Sequence, residues 1–209
     1  MADDGSILKG YLSVFTGDLG RLLTFAVFIP LLVRTVGEDG FGTYALVMAI
    51  FLPSRKILNL GLFEATKTYA SRETGDDRTS VVTTSFALHS ASLLIGIPAL
   101  FGLITLFTDG TLQSALYLML GAVVGEQLYY FGRGVLHAYK REELAEPLVP
   151  VRSVILAVVG LALASAGYGV PGVFAGFATG FLLTGVFSTI LAFREAAVLP
   201  SIRGLAVKT

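Results

Sequence analysis

Six charged side chains interrupt otherwise apolar stretches of this sequence: Asp18, Arg21, Arg55, Lys56, Glu126 and Arg133. Each costs about 2.5–3.5 kcal/mol at the centre of a membrane helix on insertion scales, so such residues must face one another or a wet cavity. Asp18 and Arg21 stand three apart, on one face of any helix that carries them. Two roles are open to them: an ion pair holding helices together, or part of a charged wall. Glu126, Tyr129, Tyr130, Arg133 and His137 follow one another at steps of three or four, with one adjacent pair. On a helix they draw a polar, aromatic stripe. Guanidinium groups there would take a phosphate and aromatic faces would take sugar rings. The plainer reading of Arg133 and His137 is snorkelling toward a nearby interface. Asp18, Arg21, Glu126, Tyr129, Tyr130 and Arg133 are the candidate substrate-binding residues.

Arg55 and Lys56 follow Pro53, and adjacent helical residues point about 100° apart, so the two do not line one cavity together. Glu64 and Lys67 read as a surface pair. His89, with Ser85, Ser90 and Ser92 nearby, reads as a hydrogen-bonded interhelical histidine before a proton relay.

Covalent chemistry has little to work with. The 209 residues contain no cysteine and two histidines, which leaves no disulfide, no thiolate metal site and no His-rich metal site to expect. Neither a G-x-S-x-G elbow nor a G-x-x-x-x-G-K-[ST] phosphate loop is present. Neither an enzyme nor a bound cofactor is expected. The 15 Lys and Arg balance the 15 Asp and Glu, so the basic footprint of a nucleic-acid partner is absent.

The elements that must position these residues are long and apolar. Hydrophobic residues make up 54% of the chain and charged residues 14%, well below the roughly 25% of soluble domains. A bilayer core of about 30 Å needs roughly 17 to 25 helical residues per crossing. Six segments have that length: 11–35, 41–65, 81–107, 112–138, 151–168 and 170–193. They lack strict alternation, so they read as helices of an all-α membrane bundle in a single domain. The acidic start, MADDGSILKG, lacks the basic region of a secretory signal, so the first segment reads as a retained span.

With the amino terminus inside, the inner loops hold Lys9, Lys67, Arg72, Arg78, Lys140, Arg141, Arg152, Arg194, Arg203 and Lys208, against Arg34 alone outside. That asymmetry predicts a multi-pass protein of the cell membrane with both termini cytoplasmic. Gly121 and Gly125, and then Gly172, Gly176 and Gly180, recur every four residues. Such spacing brings helix backbones close, within a bundle before a dimer seam.

The order of motifs in the first third is more specific than hydropathy. LGRLLTF leads into IPLLVRTVGEDGFGTYALVMAI, and LNLGLFEATKTYASRE closes the second segment. This pattern resembles the polysaccharide and lipid-linked oligosaccharide flippases of the MATE-like superfamily. Arg34, Gly37, Phe41, Gly42, Tyr44, Leu60, Gly61 and Leu62 occupy the places of that family's arginine, glycine turn, Phe-Gly-x-Tyr opening and Leu-Gly-Leu. YYFGRGVLHAYKRE is similar to the family's loop after the fourth span. Asn59 stands where an acid often precedes Leu-Gly-Leu.

The resemblance implies one six-helix lobe of a two-lobe transporter, and the tail LPSIRGLAVKT looks like a linker to the other lobe. It implies translocation of lipid-phosphate- or lipid-pyrophosphate-linked glycans by alternating access. The implied partners are the lipid-linked glycan, membrane lipid, and a second six-helix lobe or a second copy. Basic residues outnumber acids four to two in the spans, which favours an anionic cargo. Two alternatives stand beside it: a MATE-type cation-coupled multidrug antiporter lobe using Asp18 and Glu126, and a non-transporting scaffold of a glycan-assembly complex.

Overall fold

The computed structural model describes residues 4–196, apart from the side chains of 4–14 and 16–18. Asp18, Lys9, and the linker-like tail with Arg203 and Lys208 therefore fall outside the described residues.

Helix α1 runs Asp4–Asn59, followed by α2 (Leu62–Arg72), α3 (Gly75–Phe107) and α4 (Gly110–Ala138). After the single turn α5 (Glu142–Ala145) come α6 (Leu148–Leu163), a π turn (Ala164–Tyr168) and α7 (Gly169–Glu195). No strand occurs among the described residues.

α1 is two helices in one. Gly37 breaks it at φ 74° and ψ −179°, a backbone region essentially closed to other residues. Residues sixteen apart on an unbroken helix lie about 24 Å from each other. The Phe28 and Tyr44 rings instead meet at 6.3 Å, so the chain turns back at Gly37. The first arm (4–36) and second arm (38–59) thus lie side by side. The five-residue outer turn expected at 36–40 shrinks to this one glycine. The helix expected to run through 41–65 stops at Asn59, where Leu60 (φ 49°) and Gly61 (φ 74°) are both left-handed. A second reversal joins α6 to α7, at Gly167 (φ 98°).

Three helical stretches among the described residues are long and apolar enough to cross a membrane: Leu19–Arg72, Gly75–Phe107 and Glu142–Glu195. α4 is not one of them, because Gln113, Glu126 and Gln127 dilute its apolar run. It is nonetheless the central pillar, buried on nearly every side by α7, α2, α3 and the second arm of α1. The first arm and α3 do the opposite and expose Leu22, Leu23, Val27, Leu94, Ile95, Leu106 and Phe107. An apolar surface of that extent does not face water in a monomeric protein. The chain is an all-α, membrane-embedded protein.

Helices in lipid gain little hydrophobic energy from one another, so packing and polar contacts must hold them. One aromatic cluster sits between the second arm and α7: Tyr44 stacks on Phe174 at 5.7 Å and Phe51 meets Phe181 edge-on at 5.7 Å. A second lies toward the other end, where Phe86 meets Phe193 at 5.0 Å.

The glycine stripes serve packing inside the bundle. A Cβ on Gly176 would strike the Gly160 backbone of α6, and one on Gly125 would strike the α7 backbone at Phe181 and Leu182. Gly176→Val should therefore cost about 1–3 kcal/mol or more from overpacking. Gly42→Ala, where the new methyl meets nothing within 4 Å, should be neutral or slightly stabilising. Thermal unfolding of the two variants in detergent measures the difference. Equal melting temperatures would remove the close approach from this account.

Candidate functional site

The polar residues gather in one belt around α4. Val47, Phe51, Ser54 and Leu58 form the buried face of the second arm. Arg55, one position beyond Ser54, sits at the edge of that face with its side chain 23% exposed. Lys56, a further 100° round, is exposed, as helical geometry requires. The Arg55 Nη1 donates to Glu126 Oε1 at 2.7 Å, and the Glu126 side chain is only 2% exposed. Gln127 supports the pair by donating its Nε2 to the Arg55 carbonyl at 2.8 Å. Tyr130 interacts electrostatically with both Glu126 and Arg55, and its ring lies 5.8 Å from that of Phe63 on α2.

One to two turns further, Arg133 and His137 converge on a carboxylate that the sequence reading did not single out. Lys140 turns the chain with φ 56°, and the connector between α5 and α6 brings Glu146 back against α4. Glu146 Oε1 accepts from Arg133 Nε at 2.9 Å and Nη2 at 2.8 Å, and lies 2.8 Å from His137 Nε2. Arg133 also lies over the Phe63 ring at 5.5 Å. A buried acid thus holds both residues, so Arg133 and His137 do not simply snorkel into water. Tyr129, on the next face of α4, is buried and donates to the Ala145 carbonyl at 3.3 Å.

Arg152 requires a correction. It was counted with the basic residues of the cytoplasmic loops, yet α6 buries it to 7% exposure. Its guanidinium lies over the rings of Tyr129, at 4.7 Å, and Phe181, at 4.4 Å. No carboxylate among the described residues pairs with it, and its buried Nη1 lacks a hydrogen-bond partner. The flanking residues Val149, Val151 and Val154 were the available clue, since they continue the apolar helix on both sides of Arg152.

The structure therefore joins Glu126, Tyr129, Tyr130 and Arg133 into one belt and adds Arg55, Glu146 and Arg152 to it. Arg21 stands exposed on the first arm of α1. Glu64 and Lys67 form an exposed pair at 3.9 Å. His89 is buried as expected, but its Nδ1 donates to Ser85 of its own helix at 2.9 Å rather than across helices. Its ring meets Phe131 of α4 at 5.8 Å.

Burial alone would raise the Glu146 carboxyl. The hydrogen bond from His137 and the charge and hydrogen bond of Arg133 outweigh that, holding it below the ordinary 4.5. An acid with a lowered folded value contributes stability above the unfolded value, and the contribution is lost as pH falls through the folded one. The wild type should thus keep this contribution at pH 5 and above and lose it progressively below pH 4.5. Glu146→Gln should cost about 3 kcal/mol at pH 7, the low end for a broken buried pair because Arg133 is 25% exposed. The wild-type advantage over the variant should shrink on acidification, as read by denaturation at pH 7 and pH 3.5. A difference that does not change with pH would remove Glu146 as its source.

In chemical terms the belt is a set of fixed cations, acids and rings at the heart of a membrane protein. No family model, curated protein or solved structure matches the chain.

Proposed function

We propose that this chain is one six-helix lobe of a flippase that moves lipid-phosphate- or lipid-pyrophosphate-linked oligosaccharides across the cell membrane. In this reading the reversals at Gly37 and Gly167 divide the long stretches into separate crossings. α4 supplies a further crossing that its polar belt makes less apolar, for six in all. Both termini are cytoplasmic. With Arg152 moved into the interior, inner loops hold nine of the remaining basic residues counted above, against Arg34 outside, so the orientation argument stands.

The observation that carries the reading is Arg152. The belt holds Arg55, Arg133 and Arg152 against Glu126 and Glu146, one cation in excess. A buried cation without a carboxylate is expensive in lipid and marks a functional path by default. A guanidinium's fixed donors suit a phosphate oxygen pair, and Tyr129 and Tyr130 suit sugar faces. A second lobe, or a second copy of this chain, would close the cavity opposite the partly exposed edge of Arg55, Tyr130 and Arg133. Alternating access then rocks one lobe against the other.

The antiporter alternative uses Glu126 as a cation site. Arg55 already holds Oε1 of that carboxylate, so a cationic compound would have to compete with a partly exposed guanidinium for it. Competition binding in nanodiscs separates the two readings. A fluorescent polyprenyl-diphosphate oligosaccharide should bind and should resist displacement by tetraphenylphosphonium. Binding of tetraphenylphosphonium alone, lost in Glu126→Gln, would replace this reading with the antiporter.

Topology is tested without background, since the chain has no native cysteine. A membrane-impermeant maleimide added outside should label Asp39→Cys, Asp109→Cys and Tyr168→Cys but spare Asp76→Cys and Glu143→Cys. External labelling of Asp76→Cys would overturn the six-crossing arrangement.

A further inference from the structure

The start of α6 is fastened to α4 by one carboxylate. Glu146 Oε1 accepts three N–H groups, two from Arg133 and one from His137, one helical turn further along α4. The side chains are exposed to different degrees: 2% for Glu146, 12% for His137 and 25% for Arg133. α6 packs mainly along α7 and α1, so its hold on α4 rests on side chains near its first turn. These are the Glu146 cluster, the Tyr129 hydroxyl on the Ala145 carbonyl, and a small buried group of Tyr129, Leu148 and Val149. Arg152 follows Glu146 by six residues and lies over the same Tyr129 ring. Where α6 begins therefore sets where that guanidinium sits.

His137 gives this fastening a titratable member. An ionised carboxylate can only accept, so the His137 Nε2 at 2.8 Å carries the hydrogen and donates it. Histidine is the side chain that changes charge between about pH 5 and 8. Charging His137 turns its hydrogen bond to Glu146 into an ion pair, and it also adds repulsion from Arg133. Both donors sit 2.8 Å from the one oxygen and cannot overlap, so they stand farther from each other than from the acid. Attraction therefore exceeds repulsion. We infer that His137 and Glu146 form a pH-sensitive clasp, which tightens the start of α6 against α4 when His137 takes up a proton.

The neighbouring charges leave His137 to this acid. On α4, Arg133 shares the same oxygen, and Tyr130 interacts with Glu126 and Arg55 instead. On α2, Phe63 sets its ring edge-on to His137 at 6.2 Å, while Glu64 and Lys67 are exposed and pair with each other. Beyond the end of α4, Lys140 and Arg194 are exposed, and Arg141 pairs with Glu143 of α5 and Glu195 of α7. The Glu142 carbonyl accepts the Glu146 N–H at 2.9 Å and so fixes the connector that carries the acid. Glu146 also sets a lower limit. It stays ionised until the pH falls below the ordinary 4.5, so acidification first charges His137 and then discharges its partner. The clasp is tightest between those two steps.

Hydrogen exchange in nanodiscs, corrected for the intrinsic rate at each pH, tests the clasp at the amides of Ala145, Glu146, Leu148 and Val149. Wild-type protection there should be about fivefold higher at about pH 5.5 than at about pH 8, the upper range for an ion pair that water still reaches. It should fall again below pH 4.5 as Glu146 is discharged. The turn at 165–169, at the other end of α6, should show no such change. His137→Gln keeps a side-chain donor that cannot be charged, so its protection should be the same at the two higher pH values. A wild-type profile that is flat between them would overturn the inference without recourse to any variant. So would a pH dependence that persists unchanged in His137→Gln.

Discussion

Replacing Glu126 by alanine should destabilise the folded protein by about 3–5 kcal/mol, the range for removing one partner of a buried pair. The cost comes from what remains. Arg55 would keep its place beside Phe51 without its carboxylate, and the belt would hold three guanidinium groups against Glu146 alone. Arg55→Ala should also be costly, but less so, because its side chain is 23% exposed where that of Glu126 is 2%. The double variant Arg55→Met, Glu126→Met should recover most of the loss, since well-packed apolar residues often equal a buried pair. Denaturant unfolding of the four proteins in detergent forms a complete cycle. Additive losses with no recovery would mean that the two side chains do not depend on one another.

Arg152 should behave in the opposite way, with a large effect on function and a small one on stability. Arg152→Gln should lower translocation of a lipid-linked oligosaccharide by about 10- to 100-fold, as loss of one or two charge-assisted contacts to a phosphate would. Arg152→Met should lower it similarly while the melting temperature holds or rises, because a buried cation without a carboxylate has been removed. Arg152→Lys should recover little, since an ammonium group cannot reproduce the planar fork or its stacking on Tyr129 and Phe181. A pure stability defect with normal translocation by the folded fraction would make Arg152 a packing residue.

The parts of this site that share one helix were legible in the sequence. Glu126, Tyr130, Arg133 and His137 repeat at helical spacing, so their common face follows from periodicity alone. The break at Gly37 was legible too, because a glycine in a short polar stretch between two apolar runs has few other uses. Partners supplied by other elements were not. Glu146 is one of three glutamates in the connector KREELAEP, and its residue type does not set it apart from the other two. What selects it over Glu142 and Glu143 is the left-handed turn at Lys140, which no local pattern announces. Arg152 was misplaced for a related reason. Counting basic residues near helix ends treats each as solvated, and only the tertiary contacts with Tyr129 and Phe181 show that this one points inward. Arg55 was ambiguous because Pro53 obscures which face of the second arm continues.

The central claim is that this belt passes a phosphate-bearing lipid across the membrane, and translocation in proteoliposomes tests it most directly. The protein is reconstituted at two ratios, as isolated monomers and in an assembly with a second lobe or second copy, with a fluorescent polyprenyl-diphosphate oligosaccharide in the bilayer. Quenching from outside reports how much has crossed. The account predicts crossing by the assembly, little by the monomer, and a loss of about 10-fold or more in Arg152→Gln. No crossing in any assembly, or equal rates for wild type and Arg152→Gln, would contradict it.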